Sequence, residues 1–173
     1  MVKVHIWLSH NGQVGHTSLT VGTTYISFWP SDDTKDKKQP SAKDVFIRSR
    51  HQKGALRRNI QEDIKLEGNR QPSHTIILAG LDEKKMLEYY SKLRVKIPRY
   101  QLAKNNCSDI VAQALIIGSG IEPSFTPDAA NYHKWGDTFL GKNIWTPYMI
   151  KRYANELKNN TGKGRTSSGG SSW

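Results

Sequence analysis

The sequence predicts an α+β domain in which strands come first and most helices follow. Four short segments alternate apolar and polar residues or are rich in β-branched and aromatic residues, as strands are. Three longer segments place apolar residues three and four positions apart, as amphipathic helices do. The predicted strands are residues 2–8, 16–21, 24–29 and 75–79, and the predicted helices are residues 82–94, 106–118 and 146–157.

The second and third predicted strands are expected to form a hairpin. Gly22-Thr23 between them suits a two-residue turn, with glycine where the backbone φ is positive. This turn pairs Ser18 with Ser27. A slip of one residue would move every side chain to the opposite face, so the register decides which residues meet. In the predicted register one face carries His16, Ser18, Thr20, Tyr25, Ser27 and Trp29.

Residues 31–72 form a polar, charge-dense insertion without a clean period. A short helix is possible over residues 60–66, and the rest is expected to be a long surface loop or lid. From residue 159 onward glycine, serine and threonine dominate, as they do in disordered tails. The sequence therefore predicts a single domain over residues 1–158 that carries this insertion, followed by a disordered tail over residues 159–173.

The chain is strongly basic, with 26 Lys and Arg against 15 Asp and Glu, a net charge of +11 and a pI of about 9.8. Such a balance favours acidic partners, among them nucleic acid and anionic lipid headgroups, and its simplest interpretation is a solvated basic surface. The basic residues of the insertion are mixed with acidic ones, and no zinc-finger spacing or RNA-binding motif is present. A nucleic-acid partner is therefore not expected.

The sequence also limits the location and the redox chemistry of the protein. No stretch approaches the roughly 18 consecutive apolar residues of a spanning helix, and the first residues lack the apolar run of a cleavable signal peptide. We expect a protein that is cytoplasmic, or secreted without a cleavable signal and delivered into a target cell. The single cysteine, Cys107, excludes an internal disulfide and a cysteine-cluster metal site.

Cys107 is the candidate nucleophile because it lies in the first turn of a predicted helix. Backbone N–H groups without helical partners and the positive end of the helix dipole meet there, and both favour the thiolate over the thiol. The N–H groups of Cys107 and Ser108 are also placed to hold an oxyanion on an attacked carbonyl. The simpler alternative is that Cys107 packs under the helix and that Asn106 only caps it.

His16 is the candidate general base. It follows Gly15 at the start of a predicted strand, so a tight turn would bring its imidazole to the edge of the sheet. Thiol chemistry requires a base within hydrogen-bond reach of the sulfur and a third group that orients this base. His74, at the start of the last predicted strand, is the strongest of the competing histidines, which are His5, His10, His51, His74 and His133.

Two groups of residues together resemble a known family. They are the run from Gly15-His16 through Trp29-Pro30, and Tyr100 followed by Asn106-Cys107-Ser108-Asp109. In this order they resemble the circularly permuted papain-like cysteine hydrolases, which include permuted NlpC/P60 proteins and the lecithin:retinol acyltransferase family. The resemblance covers roughly residues 2–118. It implies a papain-like antiparallel sheet packed against helices, with the nucleophile at a helix N-terminus.

The resemblance also implies roles for individual residues. Cys107 would be the nucleophile and His16 the general base, and a third polar residue would lie on the strand after the histidine. That strand offers no histidine, amide or carboxylate, and Ser27 is the best-placed candidate. Tyr100 would lie near the oxyanion site, although a core aromatic is the simpler role. Apart from the resemblance, Trp29, Trp135 and Trp145 are candidates for lining a substrate cleft, and their alternative role is packing in or over the core.

The function expected from these residues is cleavage of an amide bond through an acyl-enzyme on Cys107, without a cofactor or metal. The substrate would be a peptide, a protein or an acyl compound, and the basic charge of the chain favours an acidic one. The protein is expected to be monomeric. Three alternatives stay open. They are a thiol acyltransferase or esterase, a non-catalytic basic module that binds nucleic acid or anionic membrane, and a papain-like fold without activity.

Overall fold

The computed structural model describes residues 1–31, 53–129 and 143–163, and the side chains only to residue 160. Within these ranges the chain forms a sheet of five strands and four helices, so the predicted α+β class is confirmed. In chain order the elements are β1 (Val2–Trp7), β2 (His16–Val21), β3 (Thr24–Pro30), β4 (Gly54–Arg57), α1 (Ile60–Leu66), β5 (His74–Leu78), α2 (Glu83–Val95), α3 (Cys107–Ser119) and α4 (Pro147–Lys163).

All neighbouring strands of the sheet are antiparallel, in the order β4-β3-β2-β1-β5. The predicted β2–β3 register is confirmed, because Ser18 pairs with Ser27 and Thr20 with Tyr25. Gly22 has a φ of 59°, as the two-residue turn requires. The polar face that the sequence predicts for this hairpin is therefore present.

The opposite face of the sheet carries the apolar core. Val4, Leu19 and Ile26 are fully buried on adjacent strands, and α2, α3 and α4 contribute side chains such as Leu115 and Ile150 to the same cluster. Close contact between α2 and α3 depends on Gly118, since a Cβ there would lie 2.5 Å from the Met86 sulfur. This layer fixes α3, and with it Cys107, against β2.

The segment expected to be a loop over residues 31–72 is partly regular. β4 pairs with β3 through the partners Phe28–Leu56 and Trp29–Ala55, which the sequence analysis did not predict. The short helix expected over residues 60–66 is confirmed as α1, with Asn59 as its N-cap. The prediction of a loop is therefore wrong for residues 54–57, which form β4, while residues 32–52 of the insertion lie outside the described residues.

The last helix is longer than expected. α4 continues to Lys163, whereas the sequence pattern predicts its end near residue 157 and a disordered tail from residue 159. The tail is thus helical over residues 159–163, and residues 164–173 lie outside the described residues. None of the helices in the described part of the chain is long and apolar enough to cross a membrane.

Candidate active site

Cys107 is the first residue of α3, and its position is fixed by a capping box. The Asn106 side chain accepts a hydrogen bond from the Asp109 backbone N–H at 3.0 Å, and the Asp109 carboxylate accepts one from the Asn106 N–H at 2.9 Å. The Asn106 amide also donates to the carbonyls of Leu102 and Trp145 at 2.7 and 2.9 Å. Cys107 is therefore held at a capped helix N-terminus, beside the backbone N–H groups of the first turn.

His16 is the first residue of β2 and is almost fully buried. Gly15 makes this placement possible. Its φ is +80°, and a Cβ at this position would lie 2.1 Å from the Trp7 carbonyl oxygen. Only glycine fits such a close approach at a positive φ. The turn therefore requires glycine next to the candidate base.

The His16 ring lies between aromatic side chains and a carboxylate. Trp29 stacks on the imidazole with a centroid separation of 4.2 Å, and Trp7 lies 5.6 Å away. Nε2 is 2.9 Å from Oδ2 of Asp63 and 3.0 Å from Oγ of Ser27. Since Nε2 is engaged in this way, Nδ1 is the ring nitrogen left for the Cys107 thiol.

Asp63 is a buried carboxylate that the sequence analysis did not single out. It lies on α1, and its two oxygens accept four hydrogen bonds. Oδ2 accepts from His16 and, at 2.5 Å, from the Tyr25 hydroxyl, and Oδ1 accepts from Ser27 Oγ at 2.9 Å and from Trp29 Nε1 at 2.8 Å. Each oxygen of the buried carboxylate therefore accepts two hydrogen bonds, as buried polar groups require. The strand after His16 carries no carboxylate, and Asp63 of α1 places one at the His16 ring instead.

The opposite charges of His16 and Asp63 stabilise each other. Burial alone would disfavour a charged His16 ring, but the charges of Asp63 and Cys107 and hydrogen bonds to both outweigh it and raise the pKa of His16 to about 10. Burial also opposes ionisation of Asp63, yet the His16 charge and hydrogen bonds from His16, Tyr25 and Ser27 lower the pKa of its carboxyl group. His16 is therefore an imidazolium beside an aspartate at neutral pH.

Two small cavities adjoin Cys107, and both are also lined by Val14 and Gly15. The first is mostly apolar and extends toward α4. It is completed by Leu102, Asn106, Ser108, Ile144, Trp145, Thr146 and Pro147. The second contains the polar groups of the site and is completed by His16, Trp29, Glu67 and Tyr100.

Glu67 places a second carboxylate in the polar cavity. Its side chain is buried and pairs with Arg70 at 2.6 Å. Burial raises the pKa of Glu67, although the charges of His16 and Arg70 act in the opposite direction. Glu67 is not singled out by any pattern in the sequence, because it enters the cavity only as the C-cap of α1.

The other predicted site residues lie close to Cys107 or to His16. Ser27 contacts His16 and donates to Asp63, so it lies beside the carboxylate as well as the base. Tyr100 lines the polar cavity and packs on Phe28 with a centroid separation of 5.4 Å. The Ser108 hydroxyl contacts the Thr17 hydroxyl at 3.1 Å on the apolar side of the sheet.

The two described tryptophans that were expected in a substrate cleft line different cavities. Trp29 lines the polar cavity, and its indole N–H is used by Asp63. Trp145 lines the apolar cavity instead. Trp135 lies outside the described residues.

Of the competing histidines in the described ranges, which are His5, His10 and His74, none lines either cavity beside Cys107. His5 contacts the Thr20 and Thr75 hydroxyls, and burial together with the Lys3 charge lowers its pKa to about 4, so it stays neutral. His10 lies in a turn and His74 begins β5. His51 and His133 lie outside the described residues. Within the described ranges no three His, Cys, Asp or Glu side chains are grouped so as to hold a metal ion.

Comparison with known proteins identifies one family. The family model described as the IcsB middle domain matches residues 56–167, about two thirds of the 173 residues. The match includes Asp63, Glu67 and Cys107 but begins after His16. No curated protein and no solved structure matches the chain. Because the match covers more than half of the sequence, the chain belongs to the IcsB middle domain family.

Proposed function

We propose that this protein is a cysteine-dependent enzyme that cleaves an amide bond through an acyl-enzyme on Cys107. One observation carries the proposal. The buried His16 ring bonds to the Asp63 carboxylate on one side and shares a cavity with Cys107 on the other. A nucleophile, a base and a group that orients the base are the three parts that thiol catalysis needs.

In the proposed reaction the Cys107 thiolate attacks the carbonyl carbon of the substrate and forms a carbon–sulfur bond. Negative charge moves to the carbonyl oxygen, where the N–H groups of the first turn of α3 stabilise it. His16 then gives a proton to the leaving amine as the carbon–nitrogen bond breaks. In the second half His16 takes a proton from water, the hydroxide adds to the thioester, and the thiolate leaves with release of a carboxylic acid.

Asp63 acts on the base and does not contact the substrate. Its negative charge stabilises the imidazolium, and its hydrogen bond to Nε2 fixes the ring orientation that directs Nδ1 toward Cys107. Ser27, Tyr25 and Trp29 hold the carboxylate in turn. We assign Ser27 a positioning role within this group.

The same arrangement supports the finer fold proposal. A histidine on an early strand and a cysteine at the start of a later helix, brought together at one end of an antiparallel sheet, are typical of the permuted papain-like enzymes. Here that end is formed by β2 and α3. We propose that the chain has this papain-like architecture, with the acidic residue supplied by α1.

Acyl transfer is the second candidate function, and the apolar cavity favours it. Val14, Leu102, Ile144 and Trp145 line a space beside the sulfur that suits the aliphatic part of an acyl group. The polar cavity on the other side, with Glu67, would then receive the acceptor. Delivery of the protein into a target cell as a toxin or effector is compatible with either chemistry and stays a proposal.

Trapping of the acyl-enzyme tests the proposed function. The protein is incubated with activated esters of short and longer acyl chains, and the adduct is measured by intact mass. We expect an adduct on Cys107 that is absent in Cys107→Ser and forms much more slowly in His16→Ala. Release as free acid indicates hydrolysis, whereas release that requires an added amine or alcohol indicates transfer. Equal adduct formation in His16→Ala would contradict the proposal.

A further inference from the structure

The end of α2 and the chain just beyond it, residues 92–99, form an exposed projection that we call the basic tip. Two of its aliphatic side chains face solvent, since Val95 is 89% exposed and Ile97 is 43% exposed. They are among the few large apolar side chains on the surface of the described part of the chain. Val95 and Ile97 are two residues apart in the chain, so exposed apolar surface is concentrated at this point, as it is at interaction sites.

Cations surround these two side chains. Lys92, Arg94, Lys96 and Arg99 are all exposed, and no acidic residue occurs anywhere between residues 89 and 108. None of the four forms an ion pair with another residue in the described ranges. The tip therefore presents a concentrated positive charge that nothing in the described structure neutralises.

The tip is held in place from both sides. Leu93 and Tyr100 are buried, and the Pro98 carbonyl packs so closely on Gly54 that a Cβ there would lie 2.3 Å from its oxygen. Because these anchors fix the backbone, Val95 and Ile97 are not placed to fold back onto the core. The apolar side chains and the cations are thus presented together to an outside partner.

We propose that the basic tip docks on an anionic lipid surface. Val95 and Ile97 would enter the boundary between headgroups and acyl chains, while the four cations bind the phosphate and carboxylate groups of the lipids. A nucleic-acid surface would instead combine cations with exposed aromatic side chains for base stacking. Residues 92–99 include no aromatic side chain. Of the neighbouring aromatic residues, Tyr100 is buried, and Tyr90 is half-buried with the Arg94 guanidinium 5.9 Å from its ring centroid, so one face of that ring is already covered.

Docking in this way would place the candidate active site next to the lipid. Arg99 is followed directly by Tyr100, which lines the polar cavity together with Cys107. The docking itself does not depend on any chemistry at Cys107, so it is tested separately from the proposed function.

Vesicle co-sedimentation of the whole chain tests the proposal. The vesicles are phosphatidylcholine alone, or phosphatidylcholine with about one third phosphatidylserine. The variants are Arg94→Glu/Lys96→Glu and Val95→Ser/Ile97→Ser. The matched control is Lys84→Glu/Lys85→Glu, which makes the same change in charge on the same helix. It lies more than about one Debye length from the tip at 0.1 M salt.

We expect binding to the anionic vesicles only, weakened at least about tenfold by the charge reversal and severalfold by the serine substitutions. The control should bind like the unaltered chain, and circular dichroism should show that all variants are folded. Equal weakening in the control would overturn the proposal. So would tighter binding to a single-stranded DNA oligonucleotide that is lost in Arg94→Glu/Lys96→Glu but kept in Val95→Ser/Ile97→Ser, since that result assigns the tip to nucleic acid.

Discussion

The carboxylate of Asp63 accepts hydrogen bonds from four side chains on the polar face of the sheet, and the charged state of His16 depends on it. A neutral amide in its place keeps the shape but removes the charge and turns one acceptor into a donor. The residue therefore links the stability of this face to the chemistry of the site.

Replacement of Asp63 by asparagine should lower the rate of acylation of Cys107 at least about 100-fold. It should also destabilise the fold by about 3 kcal/mol, because it leaves a buried charge partner unpaired. Acylation is followed by intact mass and stability by urea unfolding. Glu62→Gln, the neighbouring carboxylate on α1, is the control and should change either quantity little. A similar rate loss in both variants would contradict the role of Asp63.

The raised pKa of His16 predicts how the free energy of unfolding changes with pH. The folded value is about 10, above the ordinary value of 6.5. Its stabilising contribution is therefore complete below pH 6.5 and is lost as the pH rises through about 10. Urea unfolding between pH 6 and 10 should show a loss of the order of a few kcal/mol that is missing in His16→Gln. Parallel curves for the two proteins would contradict the imidazolium at neutral pH.

At this scale the sequence predicts some of the site and misses the rest for a physical reason. Cys107 and His16 follow from local signals, a helix start and a strand after glycine. Asp63 and Glu67 face the site only because α1 packs under the polar face, and nothing local distinguishes them from the other carboxylates of the insertion. A buried carboxylate on a short capped helix is visible only once the tertiary structure is known.

Among the elements, the turn before β2 is the one that places the base. Gly15→Ala adds a Cβ at a positive φ where the Trp7 carbonyl oxygen is 2.1 Å away, so the turn must move and displace His16. We expect a loss of about 2–3 kcal/mol in unfolding free energy and loss of acylation. Gly12→Ala is the control, because its φ is also +80° but no atom lies within 4 Å of the added Cβ.

The control should cost only about 1 kcal/mol, for the positive φ alone, and should acylate normally. Both quantities are measured by urea unfolding and intact mass. If Gly15→Ala behaved like Gly12→Ala, the close approach to Trp7 would not be what fixes His16.

The capping box of α3 makes a second prediction at the scale of elements. Burial raises the pKa of Asp109 to about 7, above its ordinary value of 3.8. A raised carboxyl pKa favours the folded state below pH 3.8, and this advantage is lost as the pH rises toward 7. Asp109→Asn, which can still accept the hydrogen bond from Asn106, should flatten the stability curve between pH 4 and 7. An unchanged slope in urea unfolding would contradict the burial of this charge.

The elements also show where patterns in the sequence suffice. Alternation predicts β1, β-branched and aromatic residues predict β2 and β3, and a compact apolar run predicts β5. Apolar spacing behind the polar residues around Asn106 predicts α3. β4 has only four residues and lies at the sheet edge, so its pattern is too short to detect. α4 continues past its last apolar residues because a helix once begun adds polar residues at little cost.

In the whole molecule, the two faces of the sheet hold different parts of the candidate site. The apolar face holds α3 and its N-terminal cysteine, and the polar face holds His16 and the carboxylates of α1. The two meet at the end of β2, where both cavities open beside Cys107. The α+β class and the β2–β3 register can be predicted from the sequence. The contact between Cys107 and His16 cannot, because it depends on packing among residues far apart in the chain, such as Thr17 and Ser108, which are 91 positions apart.

The central claim is that Cys107, His16 and Asp63 act as one unit, and the rate of alkylation of Cys107 at neutral pH tests it most directly. We expect iodoacetamide to alkylate Cys107 at least about tenfold faster in the unaltered chain than in His16→Ala or Asp63→Asn, because both changes remove a charge that assists the sulfur. Glu62→Gln should react like the unaltered chain. Equal alkylation rates in the unaltered chain, His16→Ala and Asp63→Asn would contradict the claim.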